Sequence, residues 1–184
     1  DGDTCHVAGG KKCVAAASND SAPPLLVYGA TVDILGPTGG RNLAIHDFYK
    51  PDGIKNTRLE PGELVVSVRV PRPNQNLKAA FHKLRRRGAI DFPLLNMAVS
   101  VACDEQGKVT ELSAAVSALA ARPNAVRGLD RFIGEPWSDE LIKAITKRCT
   151  KGSIPLTNLA TDPAWRRGMV PVFIRRLLKA CAPG

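Results

Sequence analysis

At 184 residues, with 44% hydrophobic and 23% charged side chains, the chain can build one sizeable core or two small ones and lies outside the disordered range. Its formal net charge of +9 suggests nucleic acid or an acidic partner, but Lys83 and Arg85 to Arg87 lie far from Arg166, Arg167, Arg175, Arg176 and Lys179. No aromatic platform interleaves these cations, which favours solvated faces and a docking surface over nucleic-acid binding.

The first nineteen residues are small and polar, with Gly9, Gly10, Lys11 and Lys12 between Cys5 and Cys13, and they read as a loop. The opening lacks an initiator Met, so we expect the chain to be part of a longer one. Asp20 or Ser21 supplies a helix cap, Pro23 and Pro24 suit the first turn, and Gly29 ends a short helix. Residues 30–35 alternate, with Val32 and Ile34 on one side, and residues 41–45 alternate again across a Gly-Pro turn, which predicts a hairpin. Residues 64–70 form a further strand, stopped by Pro71.

The Pro- and Asn-rich stretch 71–76 reads as a linker, dividing the chain into segments 1–75 and 76–184. Strands are predicted over 79–85, 95–103 and 109–119, with a turn at 104–107. Three helices should follow. Asn124 caps the first, with Val126, Leu129 and Ile133 on one face and Gly134 at its end; Ser138 caps the second; Asp162 and Pro163 open the last. The last carries Trp165, Met169, Phe173 and Leu177 beside Val170, Ile174 and Leu178, which is a packing stripe, and Pro171 should kink it.

Few constellations carry chemistry. Cys5 and Cys13 sit in a flexible loop able to present two thiolates to a metal, but two ligands do not complete a four-ligand site and the spacing matches no zinc pattern. Cys103, Cys149 and Cys181 lie on apolar segments and read as buried small hydrophobes. The five cysteines lack the dense spacing of a secreted disulfide scaffold, no secretory signal opens the chain, and no apolar run nears the ~20 residues of a membrane helix. A soluble, cytoplasmic protein without membrane or nucleic-acid partners is therefore expected. Asn19 and Asp20, before a helix start, are placed to hold a hydroxylated ligand or simply to cap the helix. His82 and Lys83 adjoin the arginine cluster and suit an anionic or electron-rich ligand. No Ser-His-Asp set, dinucleotide fingerprint or phosphate loop is present.

Taken together, the runs AAASNDSAPPLLVYGATVDILGPTGGR, TRLEPGELVVSVRVP, AAFHKLRRRGAIDFPLLNMAVSVA and DPAWRRGMVPVFIRRLL resemble the FAD-carrying subunits of the xanthine dehydrogenase and molybdenum hydroxylase family. The resemblance implies an α+β fold: the C-terminal part of an FAD-binding α/β domain, then a small domain of a three-stranded antiparallel sheet packed on a three-helix bundle. The run DTCHVAGGKKCVAAASND further resembles the cysteine-bearing insertion of 4-hydroxybenzoyl-CoA reductase, whose flavin subunit holds an additional 4Fe-4S cluster.

That likeness implies that Cys5 and Cys13 are two of four cluster ligands, the others lying upstream. It also implies that Asp20 with Asn19 binds polar groups of FAD, that Leu59 and Val65 pack near the flavin, and that His82 or Lys83 lies on its opposite side. Residues 85–91 match a loop that is mobile near the flavin in some relatives. No catalytic residue is expected in this chain. Electrons would pass from a ferredoxin through 4Fe-4S and FAD to a 2Fe-2S small subunit and a molybdenum-cofactor large subunit, for reductive removal of a phenolic hydroxyl in aromatic degradation. The fragment alone would be inactive. The rival readings are an FAD subunit of a xanthine, aldehyde or carbon monoxide dehydrogenase without the extra cluster, and a basic binding module that is not an enzyme.

Overall fold

The structure, a computed structural model, describes residues 3–159 and 161–183; Asp1 and Gly2, the first residues of the expected opening loop, lie outside them. Alternation in the sequence is expressed as two antiparallel sheets. The first has the order β2-β1-β3, with β1 at Thr31–Gly36, β2 at Gly39–Ala44 and β3 at Leu64–Arg69. Helix α1 (Ala22–Val27) precedes it, and the single turn α2 (Ile45–Phe48) follows β2. Val32 and Ile34 are each 1% exposed and pack with Leu26, Val27, Ile45 and Phe48, while β3, an edge strand, is exposed along its whole length.

The second sheet has the order β4-β5-β6-β7: β4 at Lys78–Leu84, β5 at Leu95–Cys103, β6 at Val109–Ser117 and β7 at Asn124–Ala125. Helices α3 (Asp139–Lys151) and α4 (Pro163–Ala180) cover one face, and α1 lies across the other. This double cover explains why β5 reads as an unbroken buried run. Its two faces differ in size. Leu95, Met97, Val99 and Val101 enter the core shared with Ile145, Val170, Ile174 and Leu178, whereas Ala98 packs with Ala115 against α1. Small residues on that face let the α1 backbone come close, and Ser100 Oγ donates to Val27 O at 3.2 Å.

Ser138 Oγ accepts from Leu141 N at 3.1 Å and Asp162 Oδ1 from Ala164 N at 2.9 Å, so both predicted caps form. The helix expected from Asn124 does not. Asn124 and Ala125 pair with Val116 and Ala115 instead, and only a 3-10 turn at Asp130–Phe132 follows. The sheet edge offers those backbone groups partners that an isolated helix start cannot match. Helix α4 continues through Pro171. Its expected stripe is buried at Val170, Phe173, Ile174, Leu177 and Leu178, but Trp165 is 44% exposed, and Arg166, counted with the surface cations, is fully buried. Cys149 and Cys181 are buried, but Cys103 is partly exposed.

Candidate functional site

The start of α1 meets the second sheet in a polar knot. Lys83, Asn96 and Ser117 stand side by side on β4, β5 and β6, since Lys83 pairs with Asn96 and Asn96 with Ser117. All three reach the same segment. Lys83 Nζ lies 2.5 Å from Asp20 Oδ2, Asn96 Nδ2 donates to Asp20 Oδ1 at 2.9 Å and to Asn19 O at 3.3 Å, and Ser117 Oγ donates to Asn19 O at 3.0 Å. Ser21 holds the N-cap position of the helix without a side-chain bond to it; Asn19 supplies that bond, its Oδ1 accepting from Ala22 N at 3.0 Å while its Nδ2 donates to the Tyr49 hydroxyl at 3.0 Å.

Burial alone would raise the Asp20 pKa, but hydrogen bonds from Lys83 and Asn96 and the charges of Lys83 and Arg85 outweigh it and hold the carboxyl ionised. For Tyr49 burial wins over the bond from Asn19, and its pKa is raised. Asn96 is fully buried and its Oδ1 has no partner among the described residues. That acceptor is sealed from the surface, whereas the Asp20 side chain is 48% exposed and its carboxylate suits a ligand carrying hydroxyl or N-H donors.

Strand alternation separates the two β4 candidates. Lys83 shares the α1 face with Asp20, whereas His82, paired with Met97, points the other way and stacks on Phe173 of α4 at 3.9 Å between ring centres. Burial and then the charge of Arg176 lower the His82 pKa and disfavour the charged ring. Leu59 packs against the α1 core, and Val65 stands opposite Ile34 with 41% of its surface exposed. Sequence reasoning missed Asn96 and Ser117, which lay unremarked in a strand; the signal was two polar residues in otherwise apolar strands. Between α1 and β4 the cleft lined by Pro24, Tyr28 and Phe81 holds only about 110 Å³, less than the roughly 300 Å³ at which small-molecule pockets begin.

The cysteine loop closes on itself through Cys5 N to Gly10 O at 2.7 Å and Gly9 N to Cys5 O at 2.8 Å. The backbone amides of Ala8, Val7 and Val14 around the Cys5 sulfur lower its pKa. Ala15 N donates to the Cys13 sulfur at 3.4 Å. Gly53 must lack a side chain, because a Cβ there would stand 2.9 Å from the Cys13 sulfur and 2.9 Å from Ala15 Cβ. Among the described residues no group of three or more His, Cys, Asp or Glu side chains could hold a metal ion.

Residues 79–181 match the CO dehydrogenase flavoprotein C-terminal domain and residues 7–73 the FAD binding domain in molybdopterin dehydrogenase. A xanthine dehydrogenase FAD-binding subunit of Escherichia coli is 25% identical over 172 residues, covering 92% of this chain and 58% of that protein. The carbon monoxide dehydrogenase medium chain of Afipia carboxidovorans is 27% identical over 184 residues, covering 93% and 58%. The chain therefore spans just over half the length of these curated relatives. A solved carbon monoxide dehydrogenase from Hydrogenophaga pseudoflava shares the fold, with a TM-score of 0.81 at 22% identity over 89% of this chain and 56% of that one.

Proposed function

We propose a function on the premise that this chain belongs to the CO dehydrogenase flavoprotein family, the FAD-binding medium chains of xanthine and CO dehydrogenases: it is part of an FAD and iron-sulfur electron-transfer subunit of a molybdenum-containing oxidoreductase of the 4-hydroxybenzoyl-CoA reductase kind. The observation that carries the finer reading is the pair of cysteines in the loop, Cys13 with Ala15 N on its sulfur at 3.4 Å and Cys5 with its pKa lowered by neighbouring backbone amides, joined by a short segment to the Asn19–Asp20 knot. Such bonds stabilise sulfur ligands and tune a cluster's potential. The remaining ligands of a 4Fe-4S cluster come from elsewhere in the subunit.

FAD supplies the exchange between two-electron and one-electron carriers. For this chain's part, Asp20 with Asn19 offers acceptors to its polar groups, Lys83 and Asn96 fix the Asp20 carboxylate, and Leu59 and Val65 offer apolar surface. His82, held on the α4 face, serves packing rather than the flavin. The segments 1–75 and 76–184 act as the end of the FAD domain and the following small domain. The exposed Leu64 and Val66 of β3 lie where further length of the subunit packs. Partners are a molybdenum-cofactor large subunit, a 2Fe-2S small subunit and, as an acidic reductant, a ferredoxin on the Arg85–Arg87 surface, where Ile90 and Phe92 protrude 94% and 75% exposed. Its compartment is the cytoplasm, and the chain alone is inactive. No helix of the structure is long and apolar enough to cross a membrane among the described residues.

The relatives support a second reading, a flavin subunit of the xanthine or carbon monoxide dehydrogenase type without the added cluster. Iron, acid-labile sulfide and EPR measurements on the purified complex separate the two. The proposal expects a cluster signal beyond those of the 2Fe-2S centres that disappears in Cys5→Ser and Cys13→Ser while FAD is retained. Only 2Fe-2S signals in the wild type would establish the second reading.

A further inference from the structure

Arg166 is a fully buried cation with no carboxylate among its partners in the described residues. It continues the four-residue row Val170, Ile174, Leu178 toward the start of α4, where an apolar side chain would serve the core at a lower desolvation cost. Instead its guanidinium gathers three oxygens: Ala118 O at 3.1 Å, Asn158 Oδ1 at 3.1 Å and Leu156 O. Ala118 holds a left-handed backbone, φ 66°, which an alanine takes only under constraint, and its N-H bonds Ala17 O at 3.2 Å.

With its Oδ1 held by Arg166, Asn158 is oriented so that Nδ2 donates to Val14 O at 2.8 Å and to Leu119 O at 3.4 Å. Val14 O belongs to the same peptide group as Ala15 N, the donor to the Cys13 sulfur. In a trans peptide the C=O and N-H point in opposite directions, and the chain contains no cis bond among the described residues. Fixing the oxygen therefore aims the N-H. A donor on the oxygen also polarises the amide and strengthens the bond on its other side.

We propose that Asn158, oriented by the buried Arg166, is a positioning residue for Cys13: it sets the Val14–Ala15 peptide so that its N-H stays on the Cys13 sulfur. The α3–α4 connection thereby controls how the cysteine limb presents its ligand. This inference rests on the reading of Cys5 and Cys13 as cluster ligands for its electronic consequence, but its geometry stands apart from that reading.

The test compares Asn158→Ala with Asn158→Asp in the intact complex. Aspartate still accepts from Arg166, and adds a charge partner, but has no N-H to give Val14 O. After chelator and reductant treatment to free the thiols, alkylation of Cys13, mapped by peptide mass, should slow roughly three- to tenfold in both variants, because the sulfur loses about one hydrogen bond that favours its reactive thiolate. Thermal stability should fall in Asn158→Ala and return in Asn158→Asp. In the loaded complex the midpoint potential of the added cluster should move negative in both. Unchanged Cys13 alkylation in both variants overturns the inference, and so does a wild-type rate returning together with stability in Asn158→Asp, which would make the contact a brace only. Absence of the added cluster from the wild type would instead sink the iron-sulfur reading and leave the alkylation comparison to decide this one.

Discussion

The sheet built on β5 and the sheet built on β1 hold their strands by different means. Around β5, helices or helix α1 cover both faces, so Leu95, Met97, Val99 and Ile174 lose almost all contact with water and the layer draws on hydrophobic burial. Around β1 only one face is covered. The rest is clasped by charge: Arg41 grips Glu63 with two bonds of 2.7 Å, and Asp33 accepts from Arg69 at 2.5 Å, from Asn42 at 2.9 Å and from Ser67. Such exposed pairs are individually weak and fade with salt. The difference teaches that the second half can stand as a core, while the first depends on α1 leaning against β5 and β6.

Spectroscopy can read the halves separately, because Trp137 and Trp165 lie in the second and Tyr28 and Tyr49 in the first. The largest effect expected is from Ile174→Ala, which empties a fully buried site and should cost about 2–5 kcal/mol in urea unfolding followed by tryptophan fluorescence. If the tyrosine signal then shifts by the same amount, the two halves are one cooperative unit and the contrast drawn above is too sharp.

Asn96→Ala should have an intermediate effect, about 1–3 kcal/mol, since it withdraws the donor that joins β5 to Asn19 and Asp20. Hydrogen exchange should show the α1 start opening while β6 stays protected. Uniform loss across both sheets would refute the knot as the joint between them.

The smallest effect is electrostatic and concerns the first sheet alone. Asp33 and Glu63 are both held at about 2, the first chiefly by Ser67 and the second by Arg41, below ordinary values of 3.8 and 4.5. A depressed folded pKa gives stability that is complete above the unfolded value and drains away as pH falls through the folded one. Acidification from about pH 5 towards 2 should therefore loosen the tyrosine-reporting half first, and Glu63→Gln should flatten that dependence. An acid transition seen first by the tryptophans would contradict the assignment.

How far the sequence revealed this depends on how local each signal is. Strands such as Leu64–Arg69 and Leu95–Cys103 and the caps Ser138 and Asp162 were legible, because alternation and capping act within a few residues. Asn124 was not, since its fate is decided by pairing with Val116. Arg166 was misplaced because charge was read as exposure, although its four-residue spacing from Val170, Ile174 and Leu178 put it on the buried row. Within the candidate site Asn19, Asp20 and Lys83 were visible, but the choice between Lys83 and His82 needed the register with β5. The Asn158 contact to Val14 spans 144 residues and leaves no local trace.

The knot also sets a timetable for synthesis. Asn19 waits for Ser117, 98 residues later, before its carbonyl finds that hydroxyl, an interval of about 5–20 s at ordinary translation speeds. Until then the nascent first half leaves the ribosome with this corner unfinished, so the closing of the knot must follow, and cannot guide, the birth of the second sheet.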